Sequence, residues 1–235
     1  MTPAPPRRRW LDHFVYRKQS LRTTWKLRLL VVVFMLVAVL VTRTLWAPFI
    51  GRSLVCQDDA VPSDAIVVEN FEPDYFVFER AARLQRQGLA RSILVPTKTS
   101  EDYLEIANTA ARRTTTLMAE LARLDNIEIV PVREIEPISL NVAYQMRDLL
   151  IAKRLKSIIV VTPGFRSRRS SLVYRAVLTP AGIDAHCSPV IATHYAEKWT
   201  TTWHGIEDAI AQLIKLEYYR LYVLLTARGG AAAPG

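Results

Sequence analysis

The sequence predicts an α/β fold in which a mostly parallel sheet lies between layers of helices, preceded by one transmembrane helix. Two observations support this fold class. From residue 63 onward, short apolar runs alternate with longer stretches of helical periodicity, and an apolar run precedes them near the N-terminus. Strands separated by helices throughout are typical of a parallel sheet covered on both faces. The expected segments are a basic head 1–28, an anchor 29–50, a linker 51–62, the domain 63–225 and a disordered tail 226–235.

The elements of the domain follow from runs of apolar residues and from capping residues. Gly88 is a suitable C-terminal cap for a helix, and Ser139 is a natural N-cap. The sequence predicts five strands, over 64–68, 92–95, 126–130, 157–161 and 183–189. It predicts helices over 75–87, 101–124, 139–153, 168–178 and 204–224.

The anchor is predicted from an unbroken apolar run of 13 residues, Leu29 to Val41. The run continues to Ile50, so that 22 residues carry only one charge, Arg43. Spanning the hydrocarbon core takes about 20 residues. A cleaved signal peptide and a buried core helix are the alternatives. No convincing small-residue cleavage site favours the first, and a core helix would not need the basic residues that precede this run.

The positive charge is concentrated in the head. The chain carries a formal charge of +9, of which residues 1–28 contribute +7, leaving +2 for residues 29–235. A nucleic-acid-binding domain would carry that charge on its own surface, so we expect no nucleic-acid partner. Basic residues before a span predict a cytoplasmic N-terminus. We therefore expect a single-pass protein of the bacterial inner membrane, with its domain in the periplasm or outside.

Two cysteines, Cys56 and Cys187, lie far apart in the sequence. They form no Cys-x-x-Cys or Cys/His cluster, so a thiolate metal site is not expected. In an oxidising compartment the pair can form a disulfide. Two buried, unpaired cysteines are the alternative. The sequence leaves both open.

Three arginines follow the strand at 157–161, where a Pro-Gly pair leads into a helix. They are Arg166, Arg168 and Arg169, and Thr162 lies at the end of the strand. Ligands of parallel sheets bind at the carboxyl ends of strands. Guanidinium groups and the free amides of a helix N-terminus both favour anions such as phosphate. This pattern predicts an anion site, with a solvated basic turn as the alternative.

Other polar residues are expected on the same rim. Glu69 follows the first strand, and Ser139 and Asn141 follow the third, although Ser139 also fits a plain helix cap. His186, His194 and His204 are scattered, so no metal site is expected, and no motif indicates a cofactor. No nucleophile and base can be paired from the sequence. Whether the protein is an enzyme is therefore left open.

Four stretches resemble the YdcF-like family of envelope proteins. Asp64 to Val68 is similar to the start of the family's D-A-I-V-V-L-G-G, and Gly88 to Val95 to its G-x-A-x-x-I-x-V-S-G-G. Ser139 to Asn141 matches the start of S-x-N-T-x-E-N, and Val161 to Arg169 resembles V-T-S-x-x-H-x-x-R-A. The likeness runs in order through about residues 63–225. It implies a three-layer Rossmann-like domain in the cell envelope.

The chain departs from the family pattern at the strand ends. Glu69-Asn70 and Thr97-Lys98 replace glycines, and Arg166 stands where the family has histidine, while Arg169 matches its arginine. Val142, Tyr144 and Gln145 replace the family's Thr, Glu and Asn. Glycine-rich strand ends let a phosphate approach the backbone closely. Their loss argues against the nucleotide-like ligands suggested for the family.

Together these features predict a membrane-anchored YdcF-like domain in cell-envelope or surface-polysaccharide biogenesis. We expect it to contact the bilayer through residues 29–50 and to bind an anionic, phosphorylated or lipid-linked intermediate through the strand-end arginines. The alternative is a non-catalytic scaffold that holds partner proteins at the membrane. The missing glycines and histidine favour this second hypothesis.

Overall fold

A computed structural model describes residues 24–99, 105–191 and 195–225 of the chain. It divides into two compact units, 1–43 and 44–235. The described part of the first unit is helix α1, Trp25–Val41, whose N-cap Thr24 accepts a hydrogen bond from the amide of Leu27. No side chain of α1 is buried. The predicted tail 226–235 and most of the predicted head lie outside the described residues.

The apolar segment 29–50 is not one helix, because α1 ends at Val41 and a second helix, α2, runs over Arg43–Leu54. Three residues of the predicted anchor and linker are buried on α2, namely Ala47, Gly51 and Leu54. Within residues 24–99, 105–191 and 195–225, no single helix has the length and apolarity of a membrane span; α1 and α2 meet those criteria only as a pair with a break between them.

The second unit contains a five-stranded, all-parallel sheet, which confirms the α/β, Rossmann-like class. Its strand order is β3-β2-β1-β4-β5. The strands are β1 Ala65–Val68, β2 Ser92–Thr99, β3 Ile127–Arg133, β4 Ser157–Pro163 and β5 Asp184–Val190. The helices around them are α3 Tyr75–Arg86, α4 Glu105–Leu121, α5 Ile138–Ala152, α6 Gly164–Leu178, α7 Tyr195–Lys198 and α8 Trp203–Tyr218, which continues as a π-helical segment, Tyr219–Val223.

The central strands β1 and β4 are buried on both faces, which explains why their sequences are almost continuously apolar. Along β1, Ala65 and Val67 pack with α5 and α6, whereas Ile66 and Val68 pack with α3 and α4. A third cluster joins α2 to α8 through Leu54, Trp199 and Leu216 with neighbouring apolar side chains. The indole Nε1 of Trp199 donates to the carbonyl of Ala47 at 2.8 Å. Helix α2 therefore belongs to the folded domain.

Several predicted boundaries differ from those of the structure, and three of the differences bear on the site. Helix α6 begins at Gly164 rather than at 168, so all three arginines lie inside it. A Cβ atom at Gly164 would lie 3.1 Å from the carbonyl oxygen of Val190, which explains the glycine at this close approach. Ser139 is not an N-cap, because Pro137 occupies that position. Strand β2 extends to Thr99 because its polar end pairs with β3.

Cys56 and Cys187 form a disulfide, which links the segment after α2 to the edge strand β5. Hydrogen bonds support the same junction. The amide of Cys56 donates to the Ser167 hydroxyl at 2.9 Å, and the amide of Cys187 donates to Asp59 Oδ1 at 2.6 Å. The sequence left open whether these cysteines are unpaired or form a disulfide, and the structure has the disulfide.

Candidate functional site

The strand order reverses between β1 and β4, which are hydrogen-bonded neighbours although β2 and β3 lie between them in the sequence. The chain leaves these two strands in opposite directions across the sheet, so a crevice forms at their carboxyl ends. Glu69 directly follows β1, and Thr162 lies near the end of β4. Helix α6 starts at the same place. Five of the seven predicted site residues lie on these three elements.

Glu69 turns into the protein instead of facing a ligand. Its residue is 1% exposed, and its Oε2 accepts hydrogen bonds from the hydroxyls of Thr162, at 2.8 Å, and Ser170, at 2.5 Å. The Glu69 amide donates to the carbonyl of Val161 at 2.9 Å. The buried carboxylate therefore occupies the crevice between the strand ends, where a ligand's phosphate could otherwise approach the backbone, and its Oε2 is held there by two hydroxyls of the protein.

The three arginines of α6 do not form one cluster. Arg166 and Arg169 are three residues apart, which places them on the same side of a helix, and they are 6% and 7% exposed. Arg168 is exposed on another side of α6. The predicted three-arginine anion site is thus reduced to a buried pair.

The buried pair has more hydrogen-bond donors than the surrounding residues accept. Arg166 Nη2 contacts Glu72 Oε1 at 2.9 Å, but its Nε and Nη1 make no hydrogen bond to any described residue. The Nε of Arg169 also lacks a partner among those residues. The guanidinium of Arg166 lies 6.0 Å from the ring centre of Phe71, and that of Arg169 lies 5.4 Å from the ring centre of Tyr219.

Burial also changes the titration of this cluster. Desolvation lowers the pKa of Arg169, an effect that the negative charge of Glu69 opposes. Burial, together with the charge of Glu69, raises the pKa of Tyr174 well above its ordinary value. The Tyr174 hydroxyl makes no hydrogen bond to the described part of the chain. Along α6, the buried hydrogen-bond donors therefore outnumber the acceptors that the described residues provide. Tyr174 belongs to this cluster, although the sequence analysis did not predict it.

Ser139 and Asn141 lie near this cluster and support its walls. The amide of Ser139 donates to the hydroxyl of Tyr219 at 3.2 Å, which fixes the ring beside Arg169. The Nδ2 of Asn141 donates to the carbonyls of Ile135 and Pro137 at 3.2 and 3.4 Å. Neither residue lines a described cavity.

A cavity of about 620 Å³ opens over the carboxyl ends of β1 and β4, within the usual size range of small-molecule sites. Arg166 lies in its wall. The rest of the lining comes mainly from α8 and from the loop before α3, whose Glu72 pairs with Arg166. The other lining residues are Glu72, Pro73, Asp74, Pro163, His204, Glu207, Asp208, Ala211 and Gln212. Most of these polar residues were not predicted, since nothing local in α8 indicates that its first turns face the strand ends.

A second cavity, of about 540 Å³, adjoins the first and shares Asp74, Pro163 and Asp208 with it. Both of its arginines have acidic partners. Arg80 donates to Ser188 Oγ at 2.9 Å and contacts Asp58 at 2.5 Å, and Arg83 lies 3.4 Å from Glu79. Arg166, which keeps two nitrogen atoms without a partner among the described residues, lines the first cavity and not the second.

No three His, Cys, Asp or Glu side chains in 24–99, 105–191 and 195–225 are placed to hold a metal ion. His186 lies 3.8 Å from Asp59, and the side chain of His204 is 94% exposed at the rim of the larger cavity. His194 lies outside the described residues.

Comparisons with known proteins give little similarity. No family model matches the sequence, and no curated protein matches it. Among solved structures, a universal stress protein in complex with cAMP is similar over 55% of this chain and 99% of that chain. The identity is 15% and the TM-score is 0.38, a likeness too low to carry an argument about ligand or function.

Proposed function

We propose that this chain is a membrane-anchored, extracytoplasmic α/β domain that binds an anionic intermediate of cell-envelope or surface-polysaccharide biogenesis, such as a phosphorylated or lipid-linked sugar. The observation that carries the proposal is Arg166. It is buried, it lines the larger cavity, and two of its nitrogen atoms have no partner among the described residues. Buried polar groups without partners cost free energy that a ligand can recover.

The class of ligand follows from the kind of atom that lacks a partner. Arg166 Nε and Nη1 are donors only, and a guanidinium presents them in a planar fork. Phosphate and carboxylate oxygens match that fork and form charge-assisted hydrogen bonds with it. Glu69 is not a partner for these nitrogen atoms, because its carboxylate accepts from Thr162 and Ser170 instead. An anionic group in the larger cavity therefore fits the donors that remain.

The membrane and the compartment are supported by three features of the chain. The head carries a charge of +7, which favours a cytoplasmic N-terminus. Helix α1 is apolar and exposes its side chains along its whole length. The Cys56–Cys187 disulfide is typical of proteins in oxidising compartments. The likeness to the YdcF-like family points to the same location.

The ligand is tested by purifying the full chain from membranes and identifying bound phosphorylated lipids and glycans by mass spectrometry. Arg166→Gln removes the unpartnered donors, and Arg168→Gln removes an equal charge from the exposed side of the same helix. We expect an anionic species that co-purifies with the wild type and with Arg168→Gln and is depleted at least tenfold in Arg166→Gln, as the loss of charged hydrogen bonds implies. Equal recovery from all three proteins would contradict the proposal.

The compartment is tested separately. A reporter fused at the C-terminal end avoids α2, where Gly51 is buried. We expect a periplasmic reporter to be active and a cytoplasmic one to be silent. In unreduced cells, Cys56 and Cys187 should resist alkylation until a reductant is added. Free thiols combined with a cytoplasmic reporter signal would remove the envelope assignment.

A second candidate function is the scaffold, and one observation favours it. Helix α8 and its continuation expose apolar side chains at helical spacing, namely Ile210, Ile214, Tyr218, Leu221, Tyr222 and Leu225. Contiguous exposed apolar residues mark interaction surfaces. A partner protein bound there should be lost from cross-linked membranes of an Ile214→Lys, Leu221→Lys variant. Retention of all cross-links would remove this candidate.

A further inference from the structure

The lining of the larger cavity is rich in acceptors. Four carboxylates line it, those of Glu72, Asp74, Glu207 and Asp208. Glu72 is already paired with Arg166 at 2.9 Å, so Asp74, at the start of α3, and Glu207 and Asp208, on α8, are the acidic residues added to that pair. The cationic groups that line it are Arg166 and, when protonated, His204. A simple anion would thus meet Arg166 among several negative charges, and like charges at these distances disfavour its binding.

Gln212, which also lines the cavity, has a side-chain oxygen without a hydrogen-bond partner among the described residues. It is 7% exposed and its Nε2 donates to Asp208 Oδ1 at 3.4 Å. An ionised carboxylate can only accept, so this contact fixes the amide with its nitrogen toward Asp208. The Oε1 of Gln212 is then directed elsewhere and has no hydrogen-bond partner in the described part of the chain. A buried acceptor of this kind calls for a donor.

The cavity therefore needs both kinds of partner. Arg166 offers donors to an anion, whereas Gln212 Oε1 and the exposed carboxylate of Glu207 offer acceptors to an N–H group. A ligand with one charge satisfies one set of groups and is repelled by the other. A ligand that carries both charges is complementary to both sets, and such complementarity favours the correct partner over others.

We propose that the ligand is zwitterionic, with a primary ammonium group a few ångströms from its phosphate or carboxylate, as in a phosphoethanolamine group. The inference rests on the anion site proposed above and adds the amine. A volume of about 620 Å³ accommodates such a group with part of the molecule attached to it. The same chemistry occurs in a lipid headgroup and in a free metabolite.

The test measures binding to the full chain in detergent by isothermal titration calorimetry. The probes are phosphoethanolamine, ethyl phosphate, which lacks only the amine, and ethanolamine, which lacks the phosphate. We expect phosphoethanolamine to bind at least about tenfold more tightly than either of the others, as one charged hydrogen bond implies. Dihexanoyl phosphatidylethanolamine distinguishes the sources: binding tighter than that of phosphoethanolamine indicates a lipid headgroup, and equal or weaker binding indicates a free compound.

Variants separate the two sets of groups. Gln212→Leu should weaken phosphoethanolamine about tenfold and leave ethyl phosphate unchanged. Because Gln212 is buried, Glu207→Gln, with a 64% exposed side chain, gives a second test that does not depend on folding of the core. Arg166→Gln should weaken both phosphates, and Arg168→Gln should weaken neither.

The two proposals fail in different ways. If phosphoethanolamine and ethyl phosphate bind equally and both need Arg166, the amine inference is wrong and the anion site stands. If neither phosphate nor any variant shows an effect, both proposals are wrong. If ethanolamine alone binds as tightly as phosphoethanolamine, the cavity is a cation site and the role of Arg166 is overturned.

Discussion

At the two ends of the neighbouring strands β1 and β4, the polar side chains differ in whether they have hydrogen-bond partners. At the amino ends, Asp64 Oδ2 accepts from the amides of Lys156 and Ser157 at 2.7 and 3.0 Å. The Asp64 amide donates in turn to the carbonyl of Ser157 at 3.1 Å. At the carboxyl ends, Glu69 is equally well bonded, yet Arg166, Arg169 and Tyr174 retain atoms without partners among the described residues.

The difference shows which end of the sheet is purely structural. Groups whose hydrogen bonds are made within the chain hold the strands in register and leave no donor or acceptor for a ligand. Buried donors without partners lower stability. A ligand that accepts from them would recover part of that free energy, so a ligand is expected at the carboxyl ends. The following variants test this contrast, from the largest expected effect on the free energy of unfolding to the smallest.

Glu69→Ala should have the largest effect. The change removes the acceptor for Thr162 and Ser170 and the negative charge near the buried Arg169. We expect the free energy of unfolding to fall by about 3 kcal/mol, because two buried hydroxyls lose their acceptor and a buried guanidinium loses a nearby opposite charge. Urea unfolding of the full chain in detergent measures it. Glu69→Gln, which keeps an acceptor, is the control and should lose less; a loss below about 1 kcal/mol for the alanine variant would mean that Glu69 does not organise this end.

Asp64→Ala should cost about 1 kcal/mol at neutral pH, a value reduced for its exposure to solvent. The amide of Lys156 contributes most to holding the pKa of this carboxyl below its ordinary value of 3.8. A depressed pKa means that the carboxylate stabilises the fold above about pH 4, and that this contribution disappears as the pH falls through the folded-state pKa. Unfolding curves of the two proteins should therefore converge in acid. A constant difference between them would show that the charge of Asp64 is not responsible.

Tyr174→Phe should raise the free energy of unfolding by up to about 1 kcal/mol, because the buried hydroxyl has no hydrogen bond to the described residues. Val173, next to it on α6, provides a comparison: Val173→Ala deletes buried apolar atoms from the same helix and should destabilise it. A loss of stability in the phenylalanine variant would reveal a partner for the hydroxyl.

Arg168→Gln should change the free energy of unfolding by less than about 0.5 kcal/mol, as is usual for an exposed position. Arg166→Gln removes a buried guanidinium from the same helix. Each variant removes one positive charge, so the pair compares a buried with an exposed position of α6. A large effect at Arg168 would contradict its placement on the exposed side.

Much of the fold could be predicted because the parallel strands are continuously apolar and lie between long helices. The run 157–161 corresponds to most of β4, and Gly88, with φ of +74°, ends its helix as expected. Helix α2 was missed because its residues continue the apolar run of the anchor. Its spacing of Ala47, Gly51 and Leu54 was the available signal for a buried face.

The candidate site was less accessible to sequence reasoning because it depends on contacts between distant residues. Glu69 and Ser170 are separated by 101 positions, and only the folded chain shows that their side chains meet. The Pro163-Gly164 pair was expected to precede a helix that begins at 168. The helix begins at Gly164 instead, so the sequence analysis did not predict that Arg166 and Arg168 lie on different sides of it. Gln212 and Asp208 look like ordinary surface residues of an amphipathic helix until the position of α8 is known.

If the chain is anchored through its N-terminal segment, as proposed above, the disulfide has a mechanical consequence. Cys56 and Cys187 are 131 positions apart, and their bond closes a covalent ring that contains β1 to β4 and just over half of β5. Tension applied at Thr44 would reach this ring after α2 separates from Trp199 and Leu216. Because the ring is closed covalently, pulling on the N-terminal side could not extend the segment between Cys56 and Cys187. The part of the chain that can extend is therefore limited to the residues before Cys56.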